Sequence, residues 1–305
     1  MTSLVDIKNQ LLPGLMAVEG EYKDIPPEWK GLFTTKVSKM AQEKVLHTRF
    51  LGMAGVTKEG QAPLVDNNSG DRWVINMEAV EAGIMYGISQ RAIEDGLYRT
   101  EFRPANLGLN QSMRAFWNQY AANVFNTAST YDANLGGDGK ALLATDHPID
   151  TGTYANTSST PQALNETSLL AAYEAIFTGL YTEAGLKIDA EGETIIVPAH
   201  LSAVARRLKD AVLRPGSANN DPNVISGPSK VEAAANNIKV LRYLTSKYAW
   251  FVKTNIPGLT HIQRIPYATH MWIDEFTNTL LVKNRERAGF FCTNPRAIRG
   301  EMATQ

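Results

Sequence analysis

Cysteine is nearly absent from this 305-residue sequence, with Cys292 the single example. One thiol cannot close an intrachain disulfide, and a zinc site built on cysteines is excluded. Such usage fits a reducing compartment. Long apolar runs are missing as well. Residues 1–27, MTSLVDIKNQLLPGLMAVEGEYKDIPP, are interrupted by charge throughout, so they form neither a signal peptide nor a spanning helix. Neither sign of charge prevails, with 30 Lys plus Arg against 31 Asp plus Glu. A strongly basic nucleic-acid binder is therefore not expected, although a protein that merely encloses nucleic acid need not be basic.

Catalytic signatures are equally scarce. The most chemical-looking stretch is LGGDGKALLATDHP at Leu135–Pro148. A phosphate-binding loop needs glycine, four residues, Gly-Lys and then a hydroxyl residue, between a strand and a helix. Here Asn134 stands at the first glycine position and Ala141 at the hydroxyl position, with a helix before the glycines and the strand-like ALLAT after them. A turn between helix and strand accounts for the glycines. Asp146 and His147 are the candidate pair for a metal-dependent enzyme, but His47, His200, His261 and His270 are scattered singly and no HExxH pair occurs. A hydrogen-bonded turn histidine is the simpler reading. Cys292, in GFFCTNP, reads as a buried small hydrophobe. No GxSxG elbow is present, and Asp274 and Glu275 are adjacent in a predicted strand, hence on opposite faces. No catalytic, cofactor-binding or metal-ligating residue is assigned, and the protein is not expected to be an enzyme.

What the sequence does contain is an ordered series of elements that cannot all bury themselves. Residues 1–43 hold Pro26 and Pro27, which break a helix, and isolated apolar residues including Trp29 and Phe33. They read as an arm that docks on another surface, or as a short helical lead-in. Val45–Phe50 and Arg72–Met77 are strand-like runs around a centre rich in Gly, Pro, Asn and Asp, the pattern of a long hairpin with an irregular tip. A lone hairpin is marginal in water and needs a partner surface.

The best helical pattern spans about Asn106–Ala128, with Leu109, Met113, Phe116, Trp117, Tyr120, Val124 and Phe125 on one face. Asn110 and Asn118 fall mostly on the other. At 1.5 Å per residue this helix runs about 30–35 Å. Downstream come helices near Glu166–Leu180 and in AHLSAVARRLKDAV, a buried-strand run ETIIVP, and a long loop at Arg214–Lys230. The ARRLK patch at Ala205–Lys209 reads as a solvated helix face. The last third is strand-rich, so the fold class is α+β.

Taken in this order, the parts resemble the HK97-like fold of tailed-bacteriophage major capsid proteins. ALLATDHP with GTYANTSST resembles the stretch after the spine helix in many phage head subunits, the Mu-like group among them. LTSKYAWFVKTN and NNDPNVISG resemble later segments. The resemblance implies an N-terminal arm at 1–43, an extended hairpin loop at 44–76, a peripheral domain at 77–161 and 263–305 with its spine helix at about 106–128, and an axial domain at 162–262. It implies a major capsid subunit that self-assembles as hexamers and pentamers into an icosahedral head, assembled in the host bacterial cytoplasm. Double-stranded DNA would be enclosed and contacted non-specifically. An encapsulin-like nanocompartment shell is the alternative. Portal and decoration proteins are implied partners, no membrane is, and the absence of a charged leader before the arm points to a separate scaffolding protein, or to a precursor carrying a leader ahead of this sequence. On this reading the subunit-interface candidates are Trp29 and Phe33 in the arm, Lys58, Arg72 and Trp73 in the hairpin, and Asn219, Asn220 and Asp221 near the capsomer axis.

Overall fold

The computed structural model describes residues 4–60, 62, 64, 66, 70–95, 98–211, 223, 225 and 237–303. In chain order the elements are α1 (Leu4–Asp24), β1 (Thr34–Val37), β2 (Gln42–Thr48), β3 (Asp71–Glu78), β4 (Val80–Ser89), α2 (Gln90–Glu94), α3 (Tyr98–Asn126), β5 (His147–Ile149) and β6 (Gly152–Tyr154). There follow α4 (Glu166–Gly179), β7 (Gly192–Pro198), α5 (Ser202–Asp210), β8 (Asn237–Leu241), β9 (Trp250–Thr254), β10 (Leu259–Asp274), β11 (Thr279–Cys292) and β12 (Ile298–Glu301).

Two four-stranded sheets carry the structure. The first runs β1-β10-β11-β4, with β1 parallel to β10 and the other pairs antiparallel. Along β11 burial alternates from Thr279 and becomes continuous over Ala288–Cys292. A strand half-covered at one end and buried on both faces at the other reads this way. α1 and α3 lie against this sheet. Met113, Trp117, Val124 and Phe125 of α3 share one core with Tyr267, Ala288 and Phe290, and Leu109 joins Met271, Leu280 and Val282 in another.

The second sheet runs β12-β9-β7-β8. Successive side chains of its central strands point to opposite faces. Ile195, Val197, Trp250 and Val252 pack with Leu169, Tyr173 and Ile176 of α4 and with Ala205 and Leu208 of α5. Ile196 and Phe251 turn the other way, and Phe251 meets Phe125 of α3 at 5.4 Å between ring centres. The end of α3 therefore joins the two sheets. α4 starts on a capping box, with Asn165 and Ser168 each accepting from the other's backbone N–H.

Several expectations change. The long helix begins at Tyr98 and runs through Pro104. A proline in a helix removes one donor but is tolerated when packing holds its neighbours. Asn110 and Asn118 are buried, not solvent-facing. Asn110 donates to the Val18 carbonyl (2.9 Å) and accepts from the Tyr267 hydroxyl, while Asn118 accepts from the Glu28 amide (3.2 Å). β4 was not expected, because Gly83 and Gly87 weaken its strand signal. A side chain at Gly87 would sit 2.8 Å from Thr279 and 2.9 Å from Leu281, so the pairing with β11 demands glycine there.

ALLAT is not a strand. Its backbone groups go instead to the buried Asn156, which accepts from the Ala144 amide (3.0 Å) and donates to the carbonyls of Leu142 (2.7 Å) and Pro295 (3.0 Å). Trp29 and Phe33 are not free arm residues either. Once Pro26 and Pro27 end the helical lead-in, Trp29 packs on His261 (4.4 Å) and Phe290 (4.9 Å), and Phe33 on Phe290 (5.0 Å). Phe33 is buried in the chain's own core, and Trp29, half-buried, packs against it.

Candidate assembly surface

The hairpin β2–β3 has two unlike faces, because alternate side chains of paired strands face opposite ways. Val45 opposes Ile75 and His47 opposes Trp73 on the inner face, while Leu46 opposes Val74 on the outer. Inner residues Ile75 and Met77 are buried with Ile262 and Phe291, and Val45 and Trp73 pack against them. His47 lies flat on Trp73, with ring centres 4.6 Å apart and planes 4° from parallel.

The glycine run after α3 provides the seat. Gly136, Gly137 and Gly139 all have φ near +80°. A Cβ on Gly137 would fall 2.5 Å from Ile75 and 2.7 Å from Trp73. Glycine is thus required twice at 137, for the left-handed backbone and for the close approach of the hairpin.

Two carboxylates then pin the loop end of the hairpin ladder. Asp150, in the turn between β5 and β6, accepts from Arg49 and Arg72, and Arg49 also reaches Asp66 at 3.2 Å. Glu183 accepts from His47 Nε2 at 2.6 Å and from Arg296 Nη1 at 2.7 Å. The Glu183 and Arg296 side chains are each only 2% exposed. Arg296 also donates to the Tyr181 carbonyl (2.6 Å) and lies 4.6 Å over the Tyr154 ring. Burial alone would raise the Glu183 carboxyl, but the His47 hydrogen bond and the Arg296 charge prevail and hold it at about 2.

Among the described residues nothing covers the outer face. Leu46 is 47% and Val74 51% exposed. Phe50, Leu51, Met53, Val56 and Leu64 continue this apolar surface into the tip, where Val56 is fully exposed. Lys58 stands exposed among them. Exposed apolar faces of this kind occur at interaction sites.

The structure therefore divides the sequence-derived candidates. Lys58 is exposed in the tip; Arg72 and Trp73 belong to the pinned loop end of the ladder; Phe33 is in the core and Trp29, half-buried, packs against it. Asn219, Asn220 and Asp221 lie outside the described residues. Nearby, Asn223 and Ile225 are buried, and Asn223 donates to the carbonyls of Leu208 and Ala211, capping α5. Asp150, Glu183 and Arg296 were not foreseen. Asp150 and Glu183 meet hairpin residues 78 and 136 positions away, and Arg296 meets Glu183 113 positions away; a lone charged residue carries no local mark of such a partner.

The alternative pair Asp146 and His147 does not hold together. Asp146 is half exposed and binds Lys140 at 2.5 Å. His147 is fully buried and its Nδ1 donates instead to Asp138 at 2.6 Å. Adjacent residues entering β5 point to opposite sides, so one faces water and the other the interior. Among the described residues no cluster of three or more His, Cys, Asp or Glu is placed to hold a metal ion. Cys292 is buried, and that burial pushes its thiol up to about 12. No helix among the described residues is long and apolar enough to cross a membrane.

With this geometry established, likeness to known proteins becomes informative. The capsid of an empty GTA particle superposes with a TM-score of 0.56 at 14% identity, covering 94% of this chain and 98% of that one. A virus-like particle from Pyrococcus furiosus gives 0.55 at 10% identity, covering 94% and 96%. A chain of Microbacterium phage Oxtober96 gives 0.52 at 13% identity, covering 88% of each. At such identities the likeness speaks for the fold, which is HK97-like. No curated protein sequence matches this one. Residues 77–299, well over half the chain, match the model of a family described as phage capsid protein. The chain belongs to this phage capsid family and is a viral major capsid subunit, a structural protein of the virion.

Proposed function

We propose that the subunit assembles as hexamers and pentamers into an icosahedral head enclosing double-stranded DNA, and that the outer face of the β2–β3 hairpin is its principal intersubunit contact. One observation carries this reading: a pinned hairpin whose outer apolar face and described tip residues are left exposed among the described residues. Multivalency supplies the stability. A weak contact repeated around a closed shell holds far more firmly than a single copy of it. Lys58 and the apolar residues beside it would meet the neighbour, while Arg72 and Trp73 set the direction in which the loop leaves the body. Asn219, Asn220 and Asp221 would lie near the capsomer axis.

On the same reading residues 1–43 are the arm, 44–76 the extended loop, 77–161 with 263–305 the peripheral domain and 162–262 the axial domain. The two sheets fit this division in part: β4 and β11 fall on one side and β7, β8 and β9 on the other, while β10 starts at Leu259 and β12, at Ile298–Glu301, pairs with β9 across the boundary. A scaffolding protein, a portal and decoration proteins are the further partners, with assembly in the bacterial cytoplasm. The near-neutral net charge suits a shell that encloses DNA without gripping its phosphates strongly.

The test is electron microscopy of purified protein, wild type beside a Leu46→Asp/Val74→Asp double variant. The wild type should give shells. The variant, altered only at exposed positions, should give folded subunits and few or no shells. Shells at wild-type yield from the variant would refute the hairpin contact. Shells holding protein and no nucleic acid would favour the nanocompartment reading over the head.

A further inference from the structure

Away from the hairpin, a cavity of about 290 Å³ opens between the end of α1, the middle of α3 and the first sheet. Tyr22, Trp29, Trp117 and Tyr267 wall it with aromatic rings, and Glu286 and Arg114 are its charged lining. Tyr22 and Tyr267 stack with their centres 4.1 Å apart. Glu286 is 8% exposed, and its Oε2 is shut from solvent without a hydrogen-bond partner. Among the described residues it forms no ion pair. Arg114 is already engaged, donating to the Tyr22 carbonyl at 2.8 Å and lying 5.0 Å from the Tyr22 ring centre.

Such a constellation has a chemical complement. Aromatic faces are electron-rich and attract a cation, most strongly where water is excluded. A buried carboxylate with an unmet acceptor costs free energy until a donor reaches it. Both needs are met by one group that is cationic, donates hydrogen bonds and sits on an apolar stem. The volume lies at the small end of ligand cavities, suited to a side-chain-sized guest. We propose that this cavity is a binding site for an alkylammonium group, either the lysine side chain of a second copy of this chain or a free small amine.

Charge at the site sets its pH dependence. Burial pushes the Glu286 carboxyl up to about 7, with Gln263 and Trp117 offsetting part of that rise. His261 beside it is held down at about 4 by burial, so it is neutral at pH 7. The Tyr22 and Tyr267 hydroxyls are raised by burial and stay protonated, and Glu19 on α1 adds negative charge near Tyr267. Arg114 is the cationic group of the lining and is engaged with Tyr22. An incoming ammonium favours the ionised Glu286, so binding should weaken as pH falls through 7.

The experiment titrates n-butylammonium, 1-butanol and butyrate into dissociated subunits and into assembled shells, following tryptophan fluorescence. In subunits, butylammonium should bind at least tenfold more tightly than butanol, and Glu286→Gln should remove that preference. Shells that still bind butylammonium would identify a site open to a free amine. Binding seen in subunits and absent from shells would identify a neighbour's lysine as the occupant. Equal binding of butanol, tighter binding of butyrate, or an undiminished preference in the variant would overturn the proposal. The wild-type comparison of butylammonium with butanol stands even if Glu286→Gln folds poorly.

Discussion

Replacing Glu183 by glutamine tests the pinning of the hairpin most directly. The side chain keeps its shape and loses its charge, leaving the Arg296 guanidinium buried without a counter-ion. Two independent lines give the magnitude. Glu183 is held at about 2 against an ordinary value of 4.5. At 1.36 kcal/mol per unit, that difference corresponds to about 3 kcal/mol. Breaking a buried ion pair by removing one partner costs about 3–5 kcal/mol in general. The sign follows from linkage. A carboxyl whose folded value is depressed contributes fully above its unfolded value, and the contribution is lost as pH falls through the folded value. The gap between wild type and variant should therefore be about 3 kcal/mol at pH 7 and shrink between about pH 4.5 and pH 2. Urea denaturation of dissociated subunits, followed by circular dichroism across that range, measures it. A gap under about 1 kcal/mol at pH 7, or one that does not narrow in acid, would show that Arg296 and His47 do not hold Glu183 as described. Limited proteolysis adds a local readout, since the variant should be cut faster within residues 49–60.

Other outcomes follow from the same geometry. Gly137→Ala should destabilise the subunit by a few kcal/mol, because its Cβ meets Ile75 and Trp73 at 2.5–2.7 Å. Gly139→Ala has the same backbone need but open space around it, so it should cost only about 1–2 kcal/mol; equal losses in thermal denaturation would dismiss the seat at Gly137. Cys292 should not react with a thiol reagent at pH 8 in the folded subunit and should react once per chain after unfolding, since burial pushes its thiol up to about 12. Rapid labelling of folded protein would show that the β10–β11 end of the core is open.

Much of the architecture was legible in the chain because it rests on local rules. The α3 stripe from Leu109 to Phe125 follows helical period, and the hairpin strands alternate around a turn-rich centre. Elements that depend on distant partners were not legible. β4 looked too glycine-rich to be a strand until β11 lay across Gly83 and Gly87. ALLAT looked like a strand although Asn156 takes up its hydrogen bonds. Trp29 and Phe33 looked unburied because the surface that receives them, Phe290, lies more than 250 residues further on.

The candidate surface divides the same way. Leu46, Val74 and the apolar tip could be read from composition, since a hairpin with apolar residues on both faces must bury one of them elsewhere. Which face stays open was decided only by the tertiary structure. Gly137, Asp150, Glu183 and Arg296 converge on the inner face from separate parts of the chain, and they fix it by close packing and buried charge. By itself the sequence determined the class of protein, an α+β subunit with more apolar surface than its own core can take up. Folding decided the rest, because long-range contacts alone select which of that surface is hidden and which is left exposed.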